Sequence, residues 1–203
     1  LGCGLLLAAC NDQPTPPPAA TPSVAAPAPV QRPVAPQPPS APRRPTHIIL
    51  VSFDGTRPDT AQQANMPTLH AMAREGATTW TAQSIVPPLT LPAHTSMLTG
   101  LPPEVHNVFW NEWLPAFGTL RVPTVFSLAT ANGLTTAVFS GKDKLAYLFP
   151  TGAVHHLSYP VPDPQDVRRL NHFQGARQVA ASATAHFAAH RPHLMFVHFL
   201  DAD

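Results

Sequence analysis

The sequence predicts an α/β fold: a layered αβα sandwich with a largely parallel central sheet. Apolar, strand-like runs alternate with helical patterns along residues 47–203. Neighbouring parallel strands need a long crossover between them, and that crossover is usually a helix. Two of the predicted strands also end in acidic residues, at Asp54 and at Asp201 to Asp203. Parallel sheets of this kind collect ligands at the carboxyl ends of their strands.

Strands and helices alternate in the order β, α, β, α, β, α, β, with two helices in succession at the second helical position. Residues 47–53, HIILVSF, are nearly continuously apolar and β-branched, which predicts a central strand covered on both faces. Residues 66–76, MPTLHAMAREG, begin near a proline, place apolar residues at helical spacing and end on glycine, which predicts a helix. The remaining predicted elements are a strand around 77–83, a helix from about Pro92, a helix at 123–133, a strand at 135–140, a helix from about Pro164 to His190 and a strand at 193–200.

Residues 1–10, LGCGLLLAAC, have the pattern of a lipoprotein signal segment. An apolar run ends in small residues before Cys10, and the run is too short to cross a bilayer as a helix. The segment LAAC resembles the bacterial lipobox, so Cys10 is the expected lipidation site and the bacterial cell envelope, on its periplasmic or extracellular side, the expected location. The alternative is a short buried helix in which Cys10 is only a small apolar residue.

Residues 11–46 predict a disordered linker rich in proline and alanine. Thirteen of the 27 prolines lie between Pro14 and Pro45, with no hydrophobic period and almost no charge. In the polyproline II conformation such a linker would reach on the order of 100 Å. Both cysteines, Cys3 and Cys10, precede it, so residues 47–203 cannot form a disulfide or a thiolate site among themselves. The net charge of +1 gives no reason to expect a nucleic-acid partner.

Three side chains in the globular part are candidates for chemistry. Asp54 directly follows an apolar strand, where a carboxylate is costly to bury without a cation or donors, although Asp-Gly is also a common turn. Thr90 precedes a helix start at Pro92, whose free amides could bind phosphate oxygens; the alternative is that Thr90 merely caps this helix. Asn111 could donate to a phosphate oxygen or lie in a solvated loop.

Together, the segments HIILVSFDG, MPTLHAMAREG, PPLTLPAHTSMLTGLPPEVHNVFWN and the terminal DAD resemble the alkaline phosphatase superfamily. The similarity is greatest to its nucleotide pyrophosphatase/phosphodiesterase branch and runs from about Thr46 to Asp203. It implies that residues 47–203 are the N-terminal part of a catalytic domain, with the fold incomplete at its C-terminus.

The resemblance also implies roles for individual residues. Asp54 would be a ligand of one of two divalent metal ions, expected to be zinc, and Thr90 the nucleophile bound to that same ion. Asn111 would hold the substrate phosphate, and Asp203 would be a ligand of the other ion. The implied reaction is hydrolysis of phosphate esters, above all phosphodiester or nucleotide pyrophosphate bonds, through a phosphothreonine. The implied partner is a small phosphorylated substrate such as a nucleotide.

The sequence departs from the family pattern in three places. After the nucleophile it has Leu-Pro-Ala-His, closer to sulfatase-like relatives than to the usual Phe-Pro-Asn-His. A sulfatase, however, needs a cysteine or serine for conversion to formylglycine, and Thr90 stands at that position with His94 in place of the arginine. Finally, Asn107 replaces the usual glycine after His106.

Two alternatives to the phosphodiesterase remain open at this point: a phosphomonoesterase with the same site, and a non-catalytic envelope lipoprotein that keeps the fold. A cation directed at the extra phosphate charge would favour the monoesterase. Lys142 and Lys144 lie near a strand end, but a solvated loop is the expected place for both. His186 and His190 have the spacing of a helical zinc pair without the glutamate of the metalloprotease motif, which predicts a solvated helix face.

Overall fold

Four parallel strands form the sheet of the computed structural model, which describes residues 45–112, 118–161 and 173–200. The strands are β1 (Ile48–Phe53), β2 (Thr136–Ser140), β3 (His156–Ser158) and β4 (Leu194–Phe199), in the order β1-β4-β2-β3. Strand β4 pairs with β1 on one side and β2 on the other. Because every pairing is parallel, the carboxyl ends of all four strands lie at the same edge of the sheet.

The connections between the strands contain six α-helices and one 3₁₀ helix, counted over the described ranges. The α-helices are α1 (Pro58–Gln63), α2 (Pro67–Glu75), α3 (Thr90–Thr99), α4 (Pro103–His106), α5 (Val125–Ala131) and α6 (Ala176–His190), and the 3₁₀ helix spans Asp143–Leu148. Local sequence fixes several of their ends. Helix α3 ends at Gly100 in the left-handed conformation, with φ of 70°. Helix α5 begins with a capping box between Thr124 and Ser127.

Apolar side chains cover both faces of the sheet at β2 and β4. On one face Val138, Leu194 and Phe196 pack with residues of α3, α5 and the 3₁₀ helix, among them Leu91 and Phe126. The other face is a second cluster, in which side chains of β2 and β4 pack against α6: Ala137, Phe139, Val179, Ala183, Met195 and Val197. The alternation along β2 and β4 sends successive side chains to opposite layers. The predicted αβα layering is therefore confirmed.

Several details of the sequence prediction are wrong. Residues 77–83 form no strand; their side chains are mostly exposed, so their β-branched residues have no surface to pack on. Strand β3 was not predicted because three residues are too few to show a period. The last helix begins at Ala176, and the predicted start near Pro164 lies outside the described residues.

Strand β1 is also less covered than predicted. It was expected to be a central strand, yet among the described strands it pairs with β4 alone and stands at the edge. Its alternate residues Ile49, Val51 and Phe53 are 45%, 44% and 40% exposed, whereas Leu50 packs against the first cluster. The face of β1 that should oppose a second layer is thus open in the described part of the chain.

Cys10, the signal segment, the linker up to residue 44, and Asp201 to Asp203 lie outside the described residues. Among the helices within residues 45–112, 118–161 and 173–200, none is both long and apolar enough to cross a membrane.

Candidate active site

Polar side chains from separate parts of the chain meet at the carboxyl edge of the sheet. Asp54 follows β1, Lys142 follows β2, and Thr90 is the first residue of α3. A cavity of about 340 Å³ opens beside them. It is lined by Pro88, Leu89, Thr90, Asn111, Lys142, Lys144, Phe173 and Leu200. This is the edge at which folds of this class bind ligands.

Asp54 is the centre of this group of residues. Its Oδ2 accepts a hydrogen bond of 2.9 Å from the Thr90 hydroxyl and one of 2.7 Å from the Lys142 ammonium. The Nε2 of His198, on β4, lies 3.3 Å from the same oxygen. Three donors, from α3, from the loop after β2 and from β4, therefore converge on one carboxylate oxygen. Their hydrogen bonds offset the free-energy cost of partly burying a charged carboxylate at the end of a strand.

These contacts keep Asp54 ionised. Burial by itself raises the pKa of the carboxyl group, but the hydrogen bonds from His198 and Lys142 and the charge of Lys142 outweigh it. The pKa of Asp54 is consequently held well below its ordinary value of 3.8. A carboxylate that is ionised at neutral pH is suited to binding a cation at this position.

Thr90 does not act as the cap of helix α3. Leu89 occupies the N-cap position and no side chain caps this end, while the Thr90 hydroxyl donates to Asp54 instead. The Lys142 ammonium lies 3.4 Å from the same hydroxyl oxygen. The Thr90 oxygen thus lies at the cavity wall, between a carboxylate that accepts its hydrogen bond and an ammonium that can stabilise an alkoxide.

Asn111 is held by the first turn of α3. Its side-chain oxygen accepts a 3.1 Å hydrogen bond from the backbone N–H of Leu91. The NH₂ group is therefore the end of the amide that can donate to a ligand in the cavity. The structure brings Asp54, Thr90 and Asn111 together, and their roles stay predictions, whereas Asp203 lies outside the described residues.

Asn107, which stands where the family pattern has glycine, ends helix α4 in the left-handed conformation, with φ of 58°. Glycine adopts this conformation without strain, and asparagine tolerates it better than most other residues. The replacement therefore keeps the turn that leads from α4 to Asn111.

The two lysines contradict their expected place in a solvated loop. Lys142 and Lys144 are only 4% and 5% exposed and both line the cavity. The Lys144 ammonium lies 3.6 Å from a carboxylate oxygen of Glu112. The preceding Gly141 has a backbone so close to its neighbours that a Cβ there would approach Leu200 to 2.9 Å. This packing pulls the loop inward, which proximity in the sequence alone does not reveal.

Two buried histidines near the site were also missed by the sequence reasoning. His94, on α3, donates from Nδ1 to the Thr90 carbonyl oxygen at 2.7 Å, and its Nε2 accepts from the Ser52 hydroxyl at 2.9 Å. Burial, together with the nearby His198, lowers the pKa of His94 to about 4, so its ring is neutral at pH 7. Four-residue spacing from Thr90 on a helix was the signal that could have identified His94.

His186 and His190 lie on α6 and pack against each other, with ring centroids 4.5 Å apart. The His186 ring also stacks on His156 of β3, at 4.2 Å. Over the described ranges, no group of three or more His, Cys, Asp or Glu side chains is placed to hold a metal ion.

The residues at the sheet edge nevertheless fit a metal ion in part. Asp54 and Thr90 supply two oxygen atoms 2.9 Å apart, and an ammonium already lies against both of them. Oxygen donors of this kind, one ionised at neutral pH, suit a divalent cation. Asp203, which the resemblance indicates as a ligand of a second ion, lies outside the described residues.

The fold and this site define the chain as an α/β protein with a polar centre at the carboxyl edge of a parallel sheet. The family of type I phosphodiesterases and nucleotide pyrophosphatases matches residues 48–203, and the chain belongs to this family. The match covers every residue placed in the site.

Known proteins are similar to parts of this chain. Ectonucleotide pyrophosphatase/phosphodiesterase family member 7 from Mus musculus is 36% identical over 83 residues, which are 39% of this chain and 18% of that protein. Phosphonoacetate hydrolase from Sinorhizobium meliloti, solved with phosphonoformate, superposes with a TM-score of 0.56 and 25% identity. That match covers 78% of this chain and 47% of the hydrolase.

Murine ectonucleotide pyrophosphatase/phosphodiesterase 5, solved as an inactive variant in complex with AMP, superposes with a TM-score of 0.55. Its identity is 17%, over 77% of this chain and 43% of that protein, so this likeness concerns the fold. The chain thus spans less than half the length of the proteins that it matches.

Proposed function

We propose that the protein hydrolyses phosphate esters in a metal-dependent reaction, above all phosphodiester or nucleotide pyrophosphate bonds, with Thr90 as the nucleophile. The observation that carries this proposal is the position of the Thr90 hydroxyl. It lies at the wall of a cavity, 2.9 Å from an ionised carboxylate and 3.4 Å from an ammonium group. Membership of the phosphodiesterase family supports the same reaction.

In the proposed reaction the Thr90 oxygen attacks phosphorus as the bond to the leaving oxygen breaks, which gives a phosphothreonine. When the substrate is a diester, the phosphorus on Thr90 keeps its second ester substituent. Water then hydrolyses this intermediate and restores the hydroxyl. The Asn111 NH₂ group would donate to a non-bridging oxygen, where negative charge must be stabilised in the transition state. Asp54 and Thr90 would hold one of two divalent ions, which we propose to be zinc, and Asp203 the other. Bound there, the ions would supply positive charge for an ionised Thr90 and for the leaving oxygen.

The proposed substrate is a nucleotide or another small phosphodiester. One protein of similar fold is solved with AMP, and one relative is a bis(5'-adenosyl)-triphosphatase. Both support a substrate in which a phosphate is linked to a nucleoside. The cavity of about 340 Å³ is large enough for a phosphate group and part of its substituent.

A second candidate function is hydrolysis of substrates with an additional negative charge, such as phosphomonoesters. It is favoured by Lys142 and Lys144, which are buried yet line the cavity beside Thr90. A monoester carries one more negative charge than a diester, and two ammonium groups of low exposure would stabilise it. Comparing kcat/KM for p-nitrophenyl phosphate and bis(p-nitrophenyl) phosphate tests this. If the monoester is preferred, Lys144→Met should remove the preference; if the diester is preferred, this candidate is excluded.

We also propose that the protein is held at the bacterial cell envelope by lipid on Cys10. The motif LAAC, followed by a proline-rich linker, supports this location. The linker would allow the catalytic domain to reach substrate away from the membrane surface.

The hydrolase proposal is tested with Thr90 variants of the full-length protein. Thr90→Ala should abolish turnover of a chromogenic phosphodiester, with loss of several orders of magnitude in kcat, while the melting temperature changes little. Thr90→Ser keeps a hydroxyl and should retain considerable activity. A wild-type protein that turns over neither ester under metal-replete conditions would instead support a non-catalytic envelope lipoprotein.

A further inference from the structure

Two buried histidines lie directly beneath the candidate active site and take no part in the proposed chemistry. His94 is 5% exposed and lies on α3, and His198 is fully buried on β4. Their rings meet edge to face, with centroids 5.1 Å apart. They therefore form one contact between the helix that carries Thr90 and the strand beside Asp54.

His94 fixes the first turn of α3. Its Nδ1 lies 2.7 Å from the carbonyl oxygen of Thr90, which can only accept, so Nδ1 carries the proton. Its Nε2 must then be the acceptor for the Ser52 hydroxyl, at 2.9 Å. Ser52 lies on β1, two residues before Asp54. His94 thus connects the backbone of Thr90 to the strand that presents Asp54.

His198 fixes the carboxylate itself. Its Nε2 lies 3.3 Å from Asp54 Oδ2 and donates to it, since an ionised carboxylate can only accept. Its Nδ1 is buried and has no hydrogen-bond partner in the described part of the chain. A buried nitrogen without a partner costs stability, and such a group needs an explanation in function or in an unseen partner. The contact with Asp54 is the one polar interaction of this ring that the structure shows.

The proposed reaction requires that Asp54 and Thr90 be held in fixed positions. Asp54 and Thr90 are 36 residues apart and lie on different elements, yet their oxygens must keep a separation near 2.9 Å to act on the same ion. Displacements of about 1 Å cost on the order of 100-fold in rate when reacting groups must be aligned. Partners that orient metal ligands are accordingly worth about 10–100-fold in affinity or activity.

We propose that His198 and His94 are positioning residues, His198 for the metal-binding carboxylate of Asp54 and His94 for the nucleophile Thr90. Neither touches the substrate. This inference rests on the proposed function, because it assumes that Asp54 binds a metal ion and that Thr90 attacks. It predicts separate effects, with His198 acting on metal affinity and His94 acting on kcat.

The test uses the full-length protein, with Zn²⁺ binding measured by calorimetry and ester hydrolysis measured at saturating Zn²⁺. His198→Phe keeps the ring volume and removes the bond to Asp54, so Zn²⁺ affinity should fall by about 10–100-fold. His198→Gln keeps an amide donor and should recover part of it. His94→Phe should lower kcat by about 10–100-fold at saturating Zn²⁺ with KM little changed, and should weaken Zn²⁺ binding less than His198→Phe does.

His106 offers a matched control. It is also buried, at 6% exposure, and its ring has two comparable hydrogen bonds, to Ser96 and from the Val108 N–H. His106→Phe should lower the melting temperature as much as the other two variants but leave Zn²⁺ affinity and kcat unchanged. If His106→Phe changes both quantities equally, the histidines act through general stability and the inference is wrong.

Asp54→Asn separates this inference from the proposed function. If it binds Zn²⁺ as tightly as wild type, Asp54 is not a ligand and the proposed function itself fails. A different result overturns only the positioning roles. In it, Asp54→Asn loses Zn²⁺ binding, whereas folded His198→Phe and His198→Gln bind Zn²⁺ as wild type does and folded His94→Phe keeps its kcat. If His198→Phe does not fold, the comparison of His198→Gln with His198→Ala decides the role of His198. His198→Gln retains a hydrogen-bond donor, so it must bind Zn²⁺ more tightly than His198→Ala.

Discussion

The Thr90 hydroxyl donates a 2.9 Å hydrogen bond to Asp54, although 36 residues separate the two. Asp54 follows a strand at one side of the sheet, and Thr90 opens a helix that packs on one of its faces. The pairing therefore exists only in the folded protein, and it sets an alcohol beside a carboxylate that is ionised at neutral pH. The Lys142 ammonium completes the arrangement, 2.7 Å from the same carboxylate oxygen.

The Asp54–Lys142 pair should be coupled in stability. Lys142→Met leaves a half-buried carboxylate without its ammonium, and Asp54→Asn leaves a buried ammonium without its carboxylate, so each should destabilise the fold. The double variant should be more stable than the sum of the two predicts, by about 1–3 kcal/mol. Chemical denaturation of the four proteins without metal measures this coupling. Additive effects would show that the 2.7 Å contact contributes nothing to folding.

The core beneath the site should be sensitive to truncation. Phe126 is fully buried and packs against Phe149 and Phe196, so Phe126→Ala should lower the free energy of unfolding by about 3–5 kcal/mol. Leu128, on the same helix, is 53% exposed and is the matched control. Leu128→Ala should cost less than about 1 kcal/mol. Urea denaturation would contradict this account if the two variants lost equal stability.

Stability should fall in mild acid because of the stacked histidines on β3 and α6. Burial, with the neighbouring histidines, lowers the pKa of His156 and of His186 below the ordinary value of 6.5. The unfolded chain then binds more protons than the folded one, so stability is present above pH 6.5 and is lost as pH falls through the lowered values. Phe139 also contacts both rings but carries no charge that could stabilise a protonated imidazole. His190 repels the protonated form of His186.

Thermal melts at pH 7.5 and 5.5 measure this effect. His186→Phe should reduce the loss of melting temperature between the two pH values, because it removes both a titrating ring and its repulsion. His47, which lies against Phe187 and His193 elsewhere, offers a control substitution, His47→Phe. An equal reduction in both variants would contradict a specific role for the stack.

Membrane attachment should depend on Cys10. The full-length protein expressed in a bacterium should partition with membranes, and mass spectrometry should find a diacylglyceryl group on the peptide that begins at Cys10. Cys10→Ala should release the protein into the soluble fraction, whereas Cys3→Ala should not. Unchanged membrane association of the Cys10→Ala protein would refute the lipid anchor.

The sequence predicted the layering because strong local patterns carry it, and similar patterns indicated three candidate site residues. Asp54 directly follows an apolar strand, and Thr90 and Asn111 lie in a block that resembles the family closely. The burial of Lys142 was not predicted because it depends on how the loop after β2 packs, which no local sequence pattern encodes. Strand β3 was not predicted because its pairing with β2 stabilises it, and its own three residues carry no clear strand pattern.

The buried histidines illustrate the same limit. His198 is a polar residue within an apolar run, which is unusual, but its partner Asp54 is 144 residues away in the sequence. Only the pairing of β1 with β4, which sets Ser52 opposite His198, brings the ring to the carboxylate. Long-range register of this kind follows from the whole sheet and cannot be obtained from one strand.

The covalent intermediate is the central claim, and trapping it is the most direct test. Full-length enzyme is mixed with a chromogenic phosphodiester, quenched in acid within the first turnover, digested and analysed by mass spectrometry. The account predicts an adduct of phosphorus with its remaining ester group on Thr90 in wild type, on residue 90 in Thr90→Ser, and none in Thr90→Ala. Full activity in Thr90→Ala, or rapid turnover in wild type with no adduct at residue 90, would contradict it.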